Sequence, residues 1–131
     1  MPVLFQKIIR REDLRRNPDV LYVFGDNMMR KGMGGQAGAM RGEPNAVGVV
    51  TKTSPSQCFS PMTADVLAQK RQIDRDMSPL YAHVNKGGVV VWPSDGIGTG
   101  LADLENKSPE TFDYIKSKLR GLIEASRIAS L

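Results

Sequence analysis

A chain of 131 residues, 40% of them hydrophobic and 24% charged, has the material for one domain with a real core, which sets aside both a disordered chain and two separate domains. Thirteen glycines and eight prolines interrupt it more than a helical bundle tolerates, so a loop-rich α/β or α+β domain is expected. The net charge of +4 favours anionic ligands without singling out a nucleic acid, although Lys7, Arg10, Arg11, Arg15 and Arg16 all fall near the N terminus.

Val3-Leu4-Phe5 and Ile8-Ile9 suggest an opening strand, and residues 11–16 one polar helical turn that Asn17-Pro18 stops. Residues 20–24, Val-Leu-Tyr-Val-Phe, are apolar on both faces and read as a buried central strand ending at Gly25-Asp26-Asn27. A glycine loop at 32–35 runs into the small residues 36–40, which suit the start of a closely packed helix. A third strand at 46–51 leads into a polar loop over 52–60. Ser60-Pro61 is expected to cap a helix, with Ser78-Pro79 breaking or restarting it and Gly87-Gly88 ending it. Residues 89–92 make another buried strand, closed by Pro93 and a second glycine loop at 96–100. Ser108-Pro109-Glu110 opens a final helix, whose Phe112, Ile115, Leu119, Leu122 and Ile123 recur on one face. Strands alternating with helices imply a largely parallel or mixed sheet covered on both sides, a three-layer α/β/α domain spanning 1–131.

The lone Cys58 has no internal disulfide partner, and with the single His83 it cannot make the usual ligand set of a structural zinc. No metal or cofactor is implied, and a reducing cytoplasmic setting is expected. The most apolar stretch, 89–92, is far too short for a bilayer, and cations occupy the place where a secretory leader needs its apolar centre, so no membrane association is expected.

In a parallel sheet ligands bind beyond the carboxyl ends of the strands, and both glycine loops follow strands. Such loops let backbone approach a ligand and present N–H donors, which suits a phosphate or diphosphate. Neither loop contains Gly-Lys-Ser/Thr or completes GxGxxG, and only 31 residues follow Gly100, so P-loop and dinucleotide-dehydrogenase readings fail. His83 lies in a helical stretch away from any serine elbow, which disfavours Ser/His/Asp hydrolysis and leaves it a structural histidine.

The combination resembles the macro domains that bind ADP-ribose. In that family a strand ends at an asparagine and a glycine-rich loop then opens a helix of small residues, as Asn27 and Gly32-Met33-Gly34-Gly35-Gln36-Ala37-Gly38 do here. A strand, a proline and an I-G-T-G-like loop follow later, as in Trp92-Pro93 and Ile97-Gly98-Thr99-Gly100-Leu101. Asp13 stands fourteen residues before Asn27, the spacing at which the family places its adenine-recognising aspartate. The large branch with an aspartate after the first loop is not matched, because Ala37 stands there. Val49-Val50-Thr51-Lys52 is similar to the terminal ADP-ribose glycohydrolases and DNA-ADP-ribose antitoxins, which use a lysine after the third strand. Their second-loop aspartate falls at Ala102 here; Asp103 is one position later, and Ser94-Asp95 extend the turn after Pro93.

The resemblance implies a macro-like domain that binds ADP-ribose or a close derivative and hydrolyses an ADP-ribosyl linkage on protein or nucleic acid, including ADP-ribosylated DNA. Backbone N–H groups of Gly34, Gly35, Gly98, Thr99 and Gly100 would neutralise the diphosphate, Gln36 and Leu101 would also bind the ligand, Asp13 would accept from adenine, and Asn27 would hold the distal ribose. Lys52 would attack the anomeric carbon as a neutral amine, and Asp103 would orient hydroxyls or move protons. Two other classes stay open: a binding module for ADP-ribose or an NAD-derived signal, and a nucleic-acid protein using the basic N-terminal face.

Overall fold

The computed structural model describes residues 3–131. Its elements in chain order are β1 (Val3–Gln6), α1 (Arg11–Arg16), β2 (Leu21–Asn27), α2 (Ala37–Met40), β3 (Ala46–Ser54), β4 (Gln57–Cys58), α3 (Thr63–Asn85), β5 (Val90–Pro93), α4 (Leu104–Lys107) and α5 (Pro109–Ala129). The strands form one sheet in the order β1-β5-β2-β3-β4. β1, β5, β2 and β3 run parallel, and β4 returns antiparallel along the outer edge of β3.

Alternation along the central strands explains the layers. Successive side chains of a strand point to opposite faces, so Val23 of β2 and Val90 and Trp92 of β5 join Ile73, Met77, Leu80 and Val84 of α3 and Ile115 and Leu122 of α5. Tyr22, Phe24 and Val91 face the other way and pack against Leu14 of α1 and Ala37 and Met40 of α2. The result is the expected three-layer α/β/α arrangement, with most of the buried volume under α3 and α5. Each fully buried Leu or Ile in that layer contributes about 1.5–3 kcal/mol of burial.

α3 differs from its expected form in two ways. It starts at Thr63, not at Ser60-Pro61, because the Ser60 hydroxyl accepts the Met62 N–H at 3.3 Å and makes a turn ahead of the helix. It also runs unbroken through Pro79. Proline removes one N–H from the ladder, but Pro79 and its missing partner Arg75 are both exposed, so water can reach the free carbonyl. Met77 and Leu80 beside it are buried, and that burial holds the helix together across the interruption. At the C terminus the Gly87 N–H reaches the Val84 carbonyl at 2.9 Å and the Gly88 N–H reaches that of His83 at 2.8 Å, a Schellman-type stop. The His83 ring lies against Gly88, with its Nε2 buried and lacking a partner among the described residues.

Gln69 is the polar member of the buried α3 stripe. Its amide donates to the Ser60 carbonyl at 3.0 Å and accepts from the hydroxyls of Ser108 and Thr111 at the start of α5, so the two long helices are registered at one end by a satisfied polar cluster. The remaining departures are local. β1 stops at Gln6, leaving Ile8 exposed, and the loop expected over 52–60 instead extends β3 to Ser54 and turns at Pro55-Ser56 into β4. The β-branched Thr51 and Thr53 flanking Lys52 favour that extension.

Candidate functional site

Because β2, β3 and β5 are parallel, their carboxyl ends open on one edge of the sheet, and a cavity of about 380 Å³ lies there. That size is within the range of small-molecule sites. Its walls are the two glycine loops. From the first come Gly32, Gly34, Gly35, Gln36 and Ala37; from the second come Gly98, Thr99, Gly100, Leu101 and Ala102. Asn27 and Lys52, register partners on β2 and β3, lie between them. Among the described residues, no protein acceptor takes the backbone N–H groups of Gly34, Gly35, Thr99 or Gly100.

Gln36 ties the two loops together. Its Oε1 accepts the Gly25 N–H at 2.9 Å, and its Nε2 donates to the Gly96 carbonyl at 3.0 Å. Gly98 sets the second loop against the sheet: its φ is +74°, and a Cβ there would lie 3.0 Å from the Leu104 side chain and 3.2 Å from Thr51. A side chain at this position would be driven into the protein and not into the cavity. The Asn27 side chain is buried and holds its own loop, donating to the Lys31 carbonyl at 2.7 Å and accepting the Met29 N–H at 3.0 Å. Lys52 is half-buried, and its Nζ donates to the Pro55 carbonyl at 2.7 Å. The hairpin tip also meets the first loop, since Pro55 lies beside Gly32. On the other side the Cys58 thiol contacts the Leu101 carbonyl at 3.6 Å.

A charged network supports the floor. Asp26, 5% exposed, pairs with Arg41 and with Arg30, and Arg30 continues to Asp76 at 2.6 Å. Burial works against the charge on Arg30, but hydrogen bonding and attraction from Asp76, followed by Asp26, outweigh it and hold its pKa above the ordinary arginine value. Arg41 also donates to the carbonyls of Gly32 and Lys31, so the ion pair fixes the first glycine loop. Gly48 makes room for this network, since a Cβ there would fall 2.4 Å from a carboxylate oxygen of Asp26. In all, the cavity is lined by three cations, Lys31, Arg41 and Lys52, and two carboxylates, Asp26 and Asp95.

Asn27, Gly34, Gly35, Gln36, Lys52, Gly98, Thr99, Gly100 and Leu101, all named from the sequence, therefore meet at one cavity. Two others do not. Asp13 is in the first turn of α1, where its carboxylate accepts the Arg10 N–H at 2.9 Å and the Gln6 amide at 3.0 Å; a carboxylate is favoured at a helix N terminus, and it does not line the cavity. Asp103 has φ 44° at the entry to α4 and accepts from Asn106 Nδ2 at 2.8 Å, so it faces its own helix while Ala102 lines the cavity. The spacing of the sequence did not single out Arg41, Lys31 or Asp95. One signal pointed to Arg41: a carboxylate at the end of a buried strand, Asp26, requires a cation nearby.

Among the described residues no group of three or more His, Cys, Asp or Glu side chains is clustered to hold a metal ion, and no helix is long and apolar enough to cross a membrane. A model for a family of unknown function (DUF7831) matches residues 4–118. No curated protein and no solved structure matches the chain.

Proposed function

The chain belongs to the DUF7831 family, a family of unknown function, and from its own geometry we propose that it is a macro-like domain that binds ADP-ribose or a close derivative and hydrolyses an ADP-ribosyl linkage. One observation carries this reading: two glycine loops with free N–H donors face each other across a cavity that also contains Lys31, Arg41 and Lys52. A diphosphate between the loops would be met by fixed backbone dipoles and a local excess of positive charge. Lys52, beside Asn27, lies where the distal ribose would follow the diphosphate, and its amine is the nucleophile of the proposed cleavage.

Saturating ADP-ribose is expected to stabilise the fold by about 2.7 kcal/mol at 100 times its dissociation constant, and AMP by less. An unchanged melting temperature in millimolar ADP-ribose would remove the ligand from consideration. A second expectation concerns Gly34, which has open space where a Cβ would go and does not adopt a left-handed backbone. Gly34→Glu should fold and lose ADP-ribose, because two unit charges about 4 Å apart cost about 4 kcal/mol at an effective dielectric near 20. A folded Gly34→Glu protein with wild-type affinity in a calorimetric titration would move the diphosphate elsewhere.

A binding module without turnover is the second reading, favoured by Ala37 and Ala102 standing in the cavity while Asp103 does not. Mass spectrometry after incubation with ADP-ribosylated protein and DNA separates the two. The basic N-terminal face supports the nucleic-acid reading less, since Arg11 and Arg15 both pair with Glu43.

A further inference from the structure

We infer that Asp95, in the turn between β5 and the second glycine loop, is the carboxylate that moves protons in this cavity, the role that the family resemblance implies for Asp103. The inference rests on the hydrolase reading. It starts from an elimination among carboxylates. The cavity is lined by two, Asp26 and Asp95. Asp26 is buried and committed to Arg41, Arg30 and the Asn27 N–H, so its lone pairs are occupied and its charge is balanced. Asp95 is exposed, and among the described residues its carboxylate makes no hydrogen bond and no ion pair.

The backbone of Asp95 is held firmly even though its carboxylate is free. The Ser94 N–H donates to the Gln6 carbonyl at 3.0 Å, the Gly96 N–H to the Pro93 carbonyl at 2.9 Å, and the Thr99 hydroxyl to the Asp95 carbonyl at 3.1 Å. The turn is fixed, and Asp95 and Lys52 line the same cavity of about 380 Å³, so an unpaired acid and an amine share one site where glycoside cleavage would need a proton carrier. Ser94-Asp95 thus does more than lengthen the connection after Pro93.

The step balances with water as the sole co-reactant. Asp95 takes a proton from the Lys52 ammonium, and the freed amine forms a bond to the anomeric carbon while the bond to the departing group breaks. The departing group leaves with the bonding electron pair and receives the proton from Asp95. Water then attacks the same carbon as the carbon–nitrogen bond breaks. Asp95 accepts a proton from that water and passes it to the lysine, which leaves ADP-ribose and the enzyme in its starting state.

The experiment compares wild type, Asp95→Ala and Asp103→Ala. Each is titrated calorimetrically with ADP-ribose and assayed on a peptide and a single-stranded oligonucleotide that carry ADP-ribose. All three should bind ADP-ribose within about tenfold of one another, while Asp95→Ala loses on the order of a hundredfold or more in turnover. Formate, a small carboxylate that fits the space vacated by the side chain, should restore part of that loss. Asp103→Ala should turn over within about threefold of wild type. A folded Asp95→Ala protein within about tenfold of wild-type turnover, or one that formate does not revive, overturns the assignment. So does a wild type that binds ADP-ribose and cleaves neither substrate. A wild type that gives no heat with ADP-ribose instead overturns the ligand reading itself.

Discussion

Lys52→Ala is expected to eliminate turnover while leaving ADP-ribose affinity within about tenfold, or roughly 1.4 kcal/mol. On the proposed reading the amine would contribute mainly as the anomeric bond breaks, whereas the loop N–H groups would hold the nucleotide in substrate and product alike. The structure also makes the substitution mild for the fold. Lys52 is half-buried, and its ammonium has one protein partner among the described residues, the exposed carbonyl of Pro55 at 2.7 Å. Melting temperature, calorimetric affinity and single-turnover rate together read the three consequences separately. An active, folded Lys52→Ala protein would remove the nucleophile, and a folded one that no longer binds ADP-ribose would mean that the lysine holds the ligand.

Asp26→Asn should be the most damaging single change to the supporting network, at about 3 kcal/mol of stability or somewhat more. The amide keeps the shape of the side chain but leaves Arg41, 19% exposed, without its counter-charge. Arg30 is 38% exposed and can recover water, which keeps the loss at the low end of what breaking a buried ion pair costs. For a chain of this length the melting temperature should fall by roughly 10 °C. Thermal unfolding followed by circular dichroism checks this, and a fall under about 2 °C would mean that the pair adds little beyond what either arginine gains from water. Loss of the pair also loosens Arg41, whose bonds to the Gly32 and Lys31 carbonyls hold the first glycine loop, so weaker ADP-ribose binding should accompany the lower stability.

Much of the cavity was legible in the sequence because it depends on strand ends. Once residues 20–24, 46–51 and 89–92 are recognised as buried parallel strands, whatever follows each must gather at one edge, which brings Asn27, Lys52 and the second glycine loop together. Side-chain direction in an irregular loop has no such period. Ala102 and Asp103 are neighbours in one glycine-rich segment, and with a left-handed backbone at Asp103 it is Ala102 that lines the cavity, which no spacing rule foretells. Asp13 fits its spacing yet serves the N terminus of its own helix, a local interaction that competes directly with a distant ligand. The same limit applies to the fold. Pro79 is a helix breaker by local propensity, and its tolerance depends on the burial of Met77 and Leu80, which is set by partners on other elements.

The amide of Gln36 reaches from β2 to the second glycine loop, so part of the cavity's width is measured by the length of one side chain. Backbone-to-backbone spacing in a sheet is fixed by the ladder and changes only with the whole architecture. A side-chain spacer can be altered by a single codon. Asparagine, one methylene shorter, would have to draw the loops together or release one of them, and the strands beneath would be unaffected. The fold thus contains an adjustable gauge: varying this one residue would reset the distance between the two glycine loops on an unchanged sheet.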